Sequence, residues 1–160
     1  MPSLPDAPGA YGLVIDVAAT IRPAIGSLPP FALPRGLYLY AGNAHGPGGI
    51  RARVRRHLTA DKARRWHIDH VTNIHPPALV IVVAGGNECG LIEAALAWEG
   101  TEVPAPGLGS SDCKTCPAHL VRLGDHIRAE DFHDPARLNE MARAAGGGSG
   151  VTVIPQSELK

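Results

Sequence analysis

Phenol, guanidinium and carboxylate groups are the side chains of this sequence whose types and spacing could act on an anionic substrate. Many of these side chains lie in residues 35–57, which read RGLYLYAGNAHGPGGIRARVRRH. The pattern predicts an aromatic strand, a glycine-rich loop and a helix crowded with arginine. The start of a helix offers unpaired N–H groups, and arginine binds phosphate or carboxylate through charge-assisted hydrogen bonds. This stretch therefore indicates a binding site for an anion.

The positive charge of the chain is concentrated around that stretch. Residues 35–65 contain eight basic residues and one acidic residue, so the segment carries +7 in a chain whose net charge is zero. A basic surface on a neutral protein indicates a polyanion, and we expect nucleic acid; a solvated helix surface is the alternative. The side chains expected to bind nucleic acid are Arg51, Arg55, Arg56, Lys62, Arg64 and Arg65.

Arg53 and His57 lie one turn apart on the helix predicted over residues 49–58. At 3.6 residues per turn, both lie beside an apolar stripe that must face the sheet, formed by Ile50, Val54 and Leu58. A guanidinium at such an edge is costly unless it meets an anion or a carboxylate. We therefore expect Arg53 to take part in chemistry, the alternative being that its stem covers apolar surface while its charge stays in water.

Glu88 stands at the start of another predicted helix, over residues 87–100, in which Asn87 suits the N-terminal cap and Gly100 the C-terminal cap. The predicted buried face of this helix consists of Leu91, Ile92, Ala95, Leu96 and Trp98. Glu88 projects into the middle of that face, whereas Glu93 points away from it. A carboxylate in this position is either a partner of the helix dipole or a functional ligand.

Three potential metal ligands lie close together in the loop predicted over residues 104–119. Cys113, Cys116 and His119 have a spacing typical of zinc ligands, and Cys89 could supply the fourth ligand from a distance. A tetrahedral site needs four ligands, and the loop itself offers three. A redox-active cysteine pair and a buried structural loop are the alternatives to zinc, and the sequence favours the structural loop.

Regular elements must position these residues. Strands are predicted from β-branched and apolar content at residues 11–17, 36–41, 79–84 and 119–123. The first two should form an antiparallel pair, and the third should be buried on both faces. Further helices are predicted at residues 61–74 and 135–145. The organisation expected is a flexible lead, a single domain, and a flexible glycine-rich linker and tail, at residues 1–8, 9–145 and 146–160.

Length and hydropathy limit the class of protein. The chain has 160 residues, of which 44% are hydrophobic, which suits one domain with its own core. No apolar run approaches the length of a membrane span, so no membrane partner is expected. The first residues, MPSLPDAPGAYG, lack a basic region and an apolar signal core. This favours the cytoplasm, where the three cysteines would stay reduced.

Several separated pieces of the chain resemble the GIY-YIG nuclease superfamily. They are Gly9-Ala10-Tyr11, Tyr40-Ala41-Gly42, Arg53 with His57, and Glu88. Others resemble one uncharacterised branch of it, a domain found alone or attached to DNA-repair glycosylases: Trp66-His67-Ile68-Asp69, Glu88-Cys89, and Gly109-Ser110-Ser111-Asp112-Cys113 with His119. The match spans roughly residues 9–123, and the ordered ensemble is far more specific than either tripeptide.

The resemblance implies an α/β (α+β) fold, with a small central antiparallel sheet flanked by helices, and cleavage of nucleic-acid phosphodiester bonds with one divalent ion, Mg²⁺ or Mn²⁺. It implies that Tyr11 lies beside the cleft and that Tyr40 activates water. By the same resemblance Arg53 stabilises phosphate charge, Glu88 binds the metal, and His57 belongs to the catalytic group. A metal and an arginine suit this reaction because both absorb the negative charge that develops.

The sequence departs from the superfamily pattern in three places. Ala10 and Ala41 replace the signature isoleucines, the gap between the two tripeptides is unusually long, and the loop cysteines are more widely spaced than expected. The leading hypothesis is a metal-dependent endonuclease that acts on nucleic acid, with DNA expected. The runner-up is a non-catalytic nucleic-acid-binding module with the same fold. A zinc-stabilised interaction domain is the third.

Overall fold

Five strands form one antiparallel sheet around a nine-residue central strand. A computed structural model describes residues 3–110, 113–147 and 150–159. The strands are β1 (Gly9–Val17), β2 (Gly36–Ala44), β3 (Leu79–Ala84), β4 (Leu120–Arg122) and β5 (Thr152–Pro155). Their order in the sheet is β4-β2-β1-β3-β5, so β1 lies in the middle. The continuous apolar run of β3 lies between β1 and β5, and the prediction of a buried inner strand is confirmed.

The predicted pairing of the first two strands is confirmed. β1 pairs with β2 along its whole length, from Gly9 opposite Ala44 to Val17 opposite Gly36. The long connection between them leaves the sheet and returns through a pair of residues, Ile21 and Leu33, whose backbone groups bond to each other. Leu33 is fully buried, so this excursion contributes to the core.

Helices cover both faces of the sheet. They are α1 (Gly49–Leu58), α2 (Asp69–Thr72), α3 (Glu88–Leu96) and α4 (Pro135–Ala145), with 3₁₀ turns at Ala129–His133 and Gln156–Glu158. Side chains of a strand alternate between faces. Leu13 therefore packs in the core formed with α1 and α2, and Val14 in the core formed with α3 and α4. The expected fold class, α+β with a small antiparallel sheet flanked by helices, is confirmed.

Two predicted helices are shorter than expected. The helix predicted over residues 61–74 is wrong except at α2, because the Asp69 carboxylate accepts the backbone N–H groups of Arg65 and Trp66 and holds the preceding residues in a turn. α3 ends at Leu96 rather than near Gly100. Leu96, which the helical wheel places on the buried face, is 38% exposed.

The ends of the described chain are built into the fold, which corrects the prediction of a flexible lead and tail. The carbonyl oxygens of Ala7 and Pro5 accept the first amides of α1, and Leu4 is buried. β5 pairs with β3, with Ile154 opposite Val80 and fully buried. For the lead at residues 1–8 and the tail at residues 146–160, positions 1, 2, 148, 149 and 160 lie outside the described residues. Within the described ranges, no helix is long and apolar enough to cross a membrane.

Candidate active site

A cleft of about 480 Å³ opens where β2 ends and α3 begins. Among the predicted catalytic and metal-binding residues, the structure brings Tyr11, Tyr40, Arg53 and Glu88 together on its walls. The two tyrosines come from neighbouring strands, β1 and β2. The remaining lining residues are Gly42, Asn43, Arg65, Trp66, His67, Gly109, Cys113 and His119.

Tyr11 is held between a glycine and a histidine. It is 1% exposed, and its hydroxyl lies 2.6 Å from Nε2 of His57. Gly42 is its partner across the strands, and a Cβ on Gly42 would stand 2.5 Å from the Tyr11 hydroxyl oxygen. The glycine of the second tripeptide is therefore required by the phenol that lies over it.

His57 lies behind Tyr11 and does not line the cleft. Burial lowers the pKa of His57 to about 3, against the attraction of Asp69, so the imidazole is neutral near pH 7. Its Nδ1 has no hydrogen-bond partner among the described residues. Its ring packs against those of Tyr11, Tyr40 and Trp66. Among the described residues, the hydrogen-bonding contact of His57 toward the cleft is the Tyr11 hydroxyl.

Tyr40 is a buried phenol with a free hydroxyl. Burial raises the pKa of Tyr40 well above its usual value; the charge of Asp69 raises it further, and Arg53 opposes the shift. Burial likewise raises the pKa of Tyr11, as does the neighbouring Tyr40. The Tyr40 hydroxyl makes no hydrogen bond within residues 3–110, 113–147 and 150–159, so it is available to a molecule in the cleft.

Arg53 and Arg65 are the two arginines that line the cleft. The guanidinium carbon of Arg53 lies 4.7 Å from the ring centroid of Trp66, a cation–π contact that fixes the side chain without neutralising its charge. No carboxylate of the described residues forms an ion pair with Arg53 or Arg65. Arg53 therefore lines the cleft with its charge unpaired among the described residues, and its contact with an anion stays a prediction.

Three of the basic residues expected to bind nucleic acid are engaged within the protein. Arg56 forms a two-point ion pair with the buried carboxylate of Asp69, at 2.8 and 2.7 Å. Arg51 donates to the carbonyl of Leu4, and Lys62 donates to Asn73. Helical periodicity, which points Arg56 away from the apolar stripe of α1, takes no account of the neighbouring segment that carries Asp69. Exposed members of the basic set remain at Arg55, Arg64 and Arg65.

The start of α1 is not an anion site, contrary to the expectation from the sequence. The amides of Ile50 and Arg51 donate to Ala7 and Pro5, at 3.0 and 2.8 Å. The amide of Ala52 donates to Gly48. An anion in the cleft would therefore not meet free N–H groups at the start of α1.

Glu88 lies in the first turn of α3, where the Asn87 side chain caps the helix by accepting the Gly90 amide. Its Oε1 accepts a hydrogen bond from Nδ2 of Asn43 at 3.2 Å. Among the described residues, Glu88 is the one carboxylate that lines the cleft. Glu93 is exposed to solvent and does not line the cleft. Asn43 was not predicted from the sequence, although its amide follows Ala41 by two residues on the same face of β2.

The four cysteine and histidine candidates come together beside the cleft. One ligand atom from each of Cys89, Cys113, Cys116 and His119 lies within 4.8 Å of the others, and this Cys₃His cluster could hold a metal ion. The Cys89 sulfur is 3.4 Å from that of Cys113 and 3.8 Å from Nε2 of His119. Cys89 therefore lies where it could supply the fourth ligand that the loop itself does not offer.

The thiols of the cluster differ in acidity. Hydrogen bonds from the Thr115 hydroxyl and from the amides of Thr115 and Cys116 lower the pKa of Cys113 to about 5. Burial raises the pKa of Cys89 to about 12. A cation in the cluster would favour the thiolate form of every cysteine, because metals bind thiolate rather than thiol.

The loop that carries the cluster is tied to both β2 and the segment before α2. The Gly109 amide donates to Nδ1 of His67 at 3.0 Å, and Nε2 of His67 contacts the Ser27 hydroxyl at 2.8 Å. The His119 carbonyl accepts the amide of Ala41. Gly109 lies so close to the ring of Tyr40 that a Cβ would stand 2.9 Å from it. The loop therefore forms one wall of the cleft.

The fold and the site define an α+β domain whose tyrosine-, arginine- and glutamate-lined cleft adjoins a potential metal centre. The chain matches the family model "Domain of unknown function DUF123" over residues 10–138 and belongs to that family. No curated protein and no solved structure matches it.

Proposed function

We propose that the protein is a metal-dependent endonuclease of the GIY-YIG type that cleaves phosphodiester bonds of nucleic acid, with DNA as the expected substrate. The observation that carries this proposal is the convergence of Tyr11, Tyr40, Arg53 and Glu88 on one cleft. These four residues come from separate elements, β1, β2, α1 and α3. A phenol, a guanidinium and a carboxylate facing one space are the groups that phosphoryl chemistry requires.

Arg53 would bind the scissile phosphate. Its charge has no carboxylate partner among the described residues, and stacking on Trp66 holds it in place. Guanidinium donates two parallel hydrogen bonds to phosphate oxygens and stabilises the charge that develops on them. Arg65, on the same cleft, would contact a neighbouring phosphate.

Glu88 would hold the divalent ion, Mg²⁺ or Mn²⁺. A single carboxylate fits this ion, because Mg²⁺ is commonly bound through one or two carboxylates together with water and substrate phosphate. When bound, such an ion polarises phosphate oxygens and lowers the pKa of water. Asn43 donates to Glu88 and orients the carboxylate toward the cleft.

Tyr40 would position the attacking water and accept its proton. Its hydroxyl is free to bind a molecule in the cleft, but its raised pKa means that the phenol is protonated near pH 7. Deprotonation therefore requires added positive charge nearby, of which Arg53 already supplies part. Tyr11, paired with neutral His57, would fix the geometry of the second wall.

Zinc is the ion that we propose for the Cys₃His cluster. Three sulfurs and one imidazole are a common donor set of structural zinc sites, whereas Mg²⁺ prefers oxygen. The cluster uses four protein ligands and leaves no open position, so it is distinct from the site proposed at Glu88. A reducing compartment such as the cytoplasm would keep the thiols available for metal.

A non-catalytic nucleic-acid-binding module is the second candidate. It is favoured by the buried state of both cleft tyrosines, whose raised pKa values leave neither of them ionised near pH 7. Such a module would use the exposed residues Arg55, Arg64 and Arg65 for affinity. Binding of this kind weakens steeply with salt because counterions are released from the phosphates.

The test is a cleavage assay on duplex, branched and single-stranded DNA and on RNA. Protein dialysed free of loosely bound divalent ions is assayed with Mg²⁺, with Mn²⁺ and with neither. A chelator is avoided because it would also remove an ion bound by the Cys₃His cluster. We expect cleavage that depends on the added ion. If the protein binds nucleic acid in a salt-sensitive way but cleaves none of the substrates, the binding module replaces the nuclease proposal. If it binds no nucleic acid at low salt, the nuclease and the binding module are both excluded.

A further inference from the structure

We infer that a metal ion in the Cys₃His cluster is a structural link that fixes the start of α3, where Glu88 lies, and the Tyr40 wall of the cleft in one arrangement. The four ligands come from two parts of the chain. Cys89 belongs to the first turn of α3, whereas Cys113, Cys116 and His119 belong to the loop before β4. One ion bound by all four would therefore join a helix start to a loop.

The helix side of this link is adjacent to the proposed catalytic carboxylate. Cys89 directly follows Glu88, and both lie in the turn that Asn87 caps. Because helical backbone dihedrals relate neighbouring residues rigidly, fixing the Cys89 sulfur also fixes the Glu88 Cα. The one side-chain hydrogen bond to Glu88 from the described residues, that of Asn43, is 3.2 Å long.

The loop side of the link is adjacent to Tyr40. The backbone of His119 accepts the Ala41 amide, and the His119 Cβ lies 3.3 Å from where a Cβ of Gly109 would stand. Gly109 itself lies against the Tyr40 ring. An ion on the His119 imidazole would therefore hold the residues that cover Tyr40.

The loop has two parts that are anchored differently. Its first part is fixed by the buried side chains of Ala105 and Leu108. In the part from Cys113 to Cys116 the two cysteines are half-buried and the two residues between them are exposed. Cys116 packs at the edge of the core, and the side-chain hydrogen-bonding contact of Cys113 with α3 joins two sulfur atoms. Sulfur is a weak hydrogen-bonding atom, so this contact alone holds the loop poorly. A metal supplies the missing connection, and structural zinc contributes directly to folding energy.

The experiment uses the full chain purified under reducing conditions, with three variants. Cys116→Ser removes a ligand that does not line the cleft, and His119→Ala removes a ligand that does. Lys114→Ala is the matched control, since Lys114 is an exposed residue of the same loop outside the cluster. Zinc content, the absorption spectrum of the cobalt-substituted protein and amide hydrogen exchange are measured. None of these measurements depends on catalytic activity.

We expect about one zinc per chain in the wild type and in Lys114→Ala, and a cobalt spectrum typical of tetrahedral thiolate ligation. We expect loss of zinc in Cys116→Ser and His119→Ala. In both, amides of residues 90–92, 105–110 and 113–119 should exchange at least about tenfold faster, while those of β1 and β3 stay protected. If either variant unfolds, the same measurements are made on wild-type protein from which zinc has been removed. The comparison is then with wild-type protein reloaded with zinc.

Three results would overturn the inference. One is a reduced wild type that binds neither zinc nor cobalt, and another is a disulfide between Cys89 and Cys113 in its place. The third is unchanged exchange at residues 90–92 in zinc-free protein. The effect on catalysis rests on the proposed nuclease function, whereas zinc content and exchange do not. A protein that never cleaves but passes these tests would refute the nuclease proposal alone.

Discussion

The phenol of Tyr11 occupies the space that a side chain on Gly42 would need. The two residues face each other across β1 and β2, and the Tyr11 hydroxyl continues past Gly42 to Nε2 of His57 at 2.6 Å. Any Cβ at position 42 would lie 2.5 Å from the Tyr11 hydroxyl oxygen. The orientation of a cleft tyrosine therefore depends on the absence of a methyl group on the neighbouring strand.

Gly42→Ala should displace Tyr11 and break its contact with His57. Overpacking of this kind costs about 1–3 kcal/mol of unfolding free energy, measured by urea denaturation. Gly26→Ala is the control, because position 26 is exposed and a Cβ there would have no neighbouring atom within 4 Å. Equal stability of the two variants would show that Tyr11 moves without cost.

Glu88→Gln should abolish cleavage while leaving nucleic-acid binding intact. The amide keeps the shape of the carboxylate but loses the charge that Mg²⁺ requires of its ligand. We expect a loss of more than about 100-fold in cleavage rate, the upper end of the effect of outer metal-site partners. Glu93→Gln is the control, since Glu93 is exposed and outside the cleft. Equal cleavage by wild type and Glu88→Gln would contradict the proposed metal site.

Arg56→Ala should destabilise the fold, whereas Arg55→Ala should not. Removal of Arg56 leaves the Asp69 carboxylate, which is 0% exposed, without its partner. Loss of one member of a buried ion pair costs about 3–5 kcal/mol, less here because the side chain of Arg56 is 24% exposed. Thermal and urea unfolding measure the difference. Comparable stability of the two variants would show that the amides of Arg65 and Trp66 suffice for Asp69.

Stability should fall as the pH is lowered from about 6.5 toward 3. Burial lowers the pKa of His57 from 6.5 in the unfolded chain to about 3 in the fold. Between these pH values the unfolded state binds a proton on His57 that the folded state does not bind. The free energy of unfolding therefore falls by up to about 1.4 kcal/mol for each pH unit. Unfolding curves of wild type and His57→Gln should have different pH slopes. His70, whose pKa burial also lowers, is present in both proteins, so equal slopes would contradict the burial of His57.

The side-chain directions of Arg53 and Glu88 could be predicted from helical periodicity, because a helix fixes the direction of its side chains, and both residues line the cleft. Tyr11 and Tyr40 were expected beside the cleft from the resemblance alone, and they also line it. The ion pair of Arg56 with Asp69 could not be predicted, since it joins segments that the wheel of one helix does not relate.

Long-range contacts account for the other differences between prediction and structure. Cys89 and Cys113 are 24 positions apart, and only the packing of α3 against the loop brings their sulfurs to 3.4 Å. The carbonyls that cover the start of α1 come from Pro5 and Ala7, in a stretch whose proline content indicated flexibility. β5 was missed because its pairing with β3 depends on a short strand after a glycine-rich segment.

The edges of the sheet are short. β4 has three residues and ends at a charged side chain, Arg122, while β5 has four residues and ends at Pro155. Unpaired backbone groups on a long flat edge would recruit strands of other chains and lead to aggregation. The apolar sequence LVIVVA of β3 is the segment most exposed to this hazard, and β5 covers it. The final strand therefore acts as a barrier that keeps β3 from pairing between molecules.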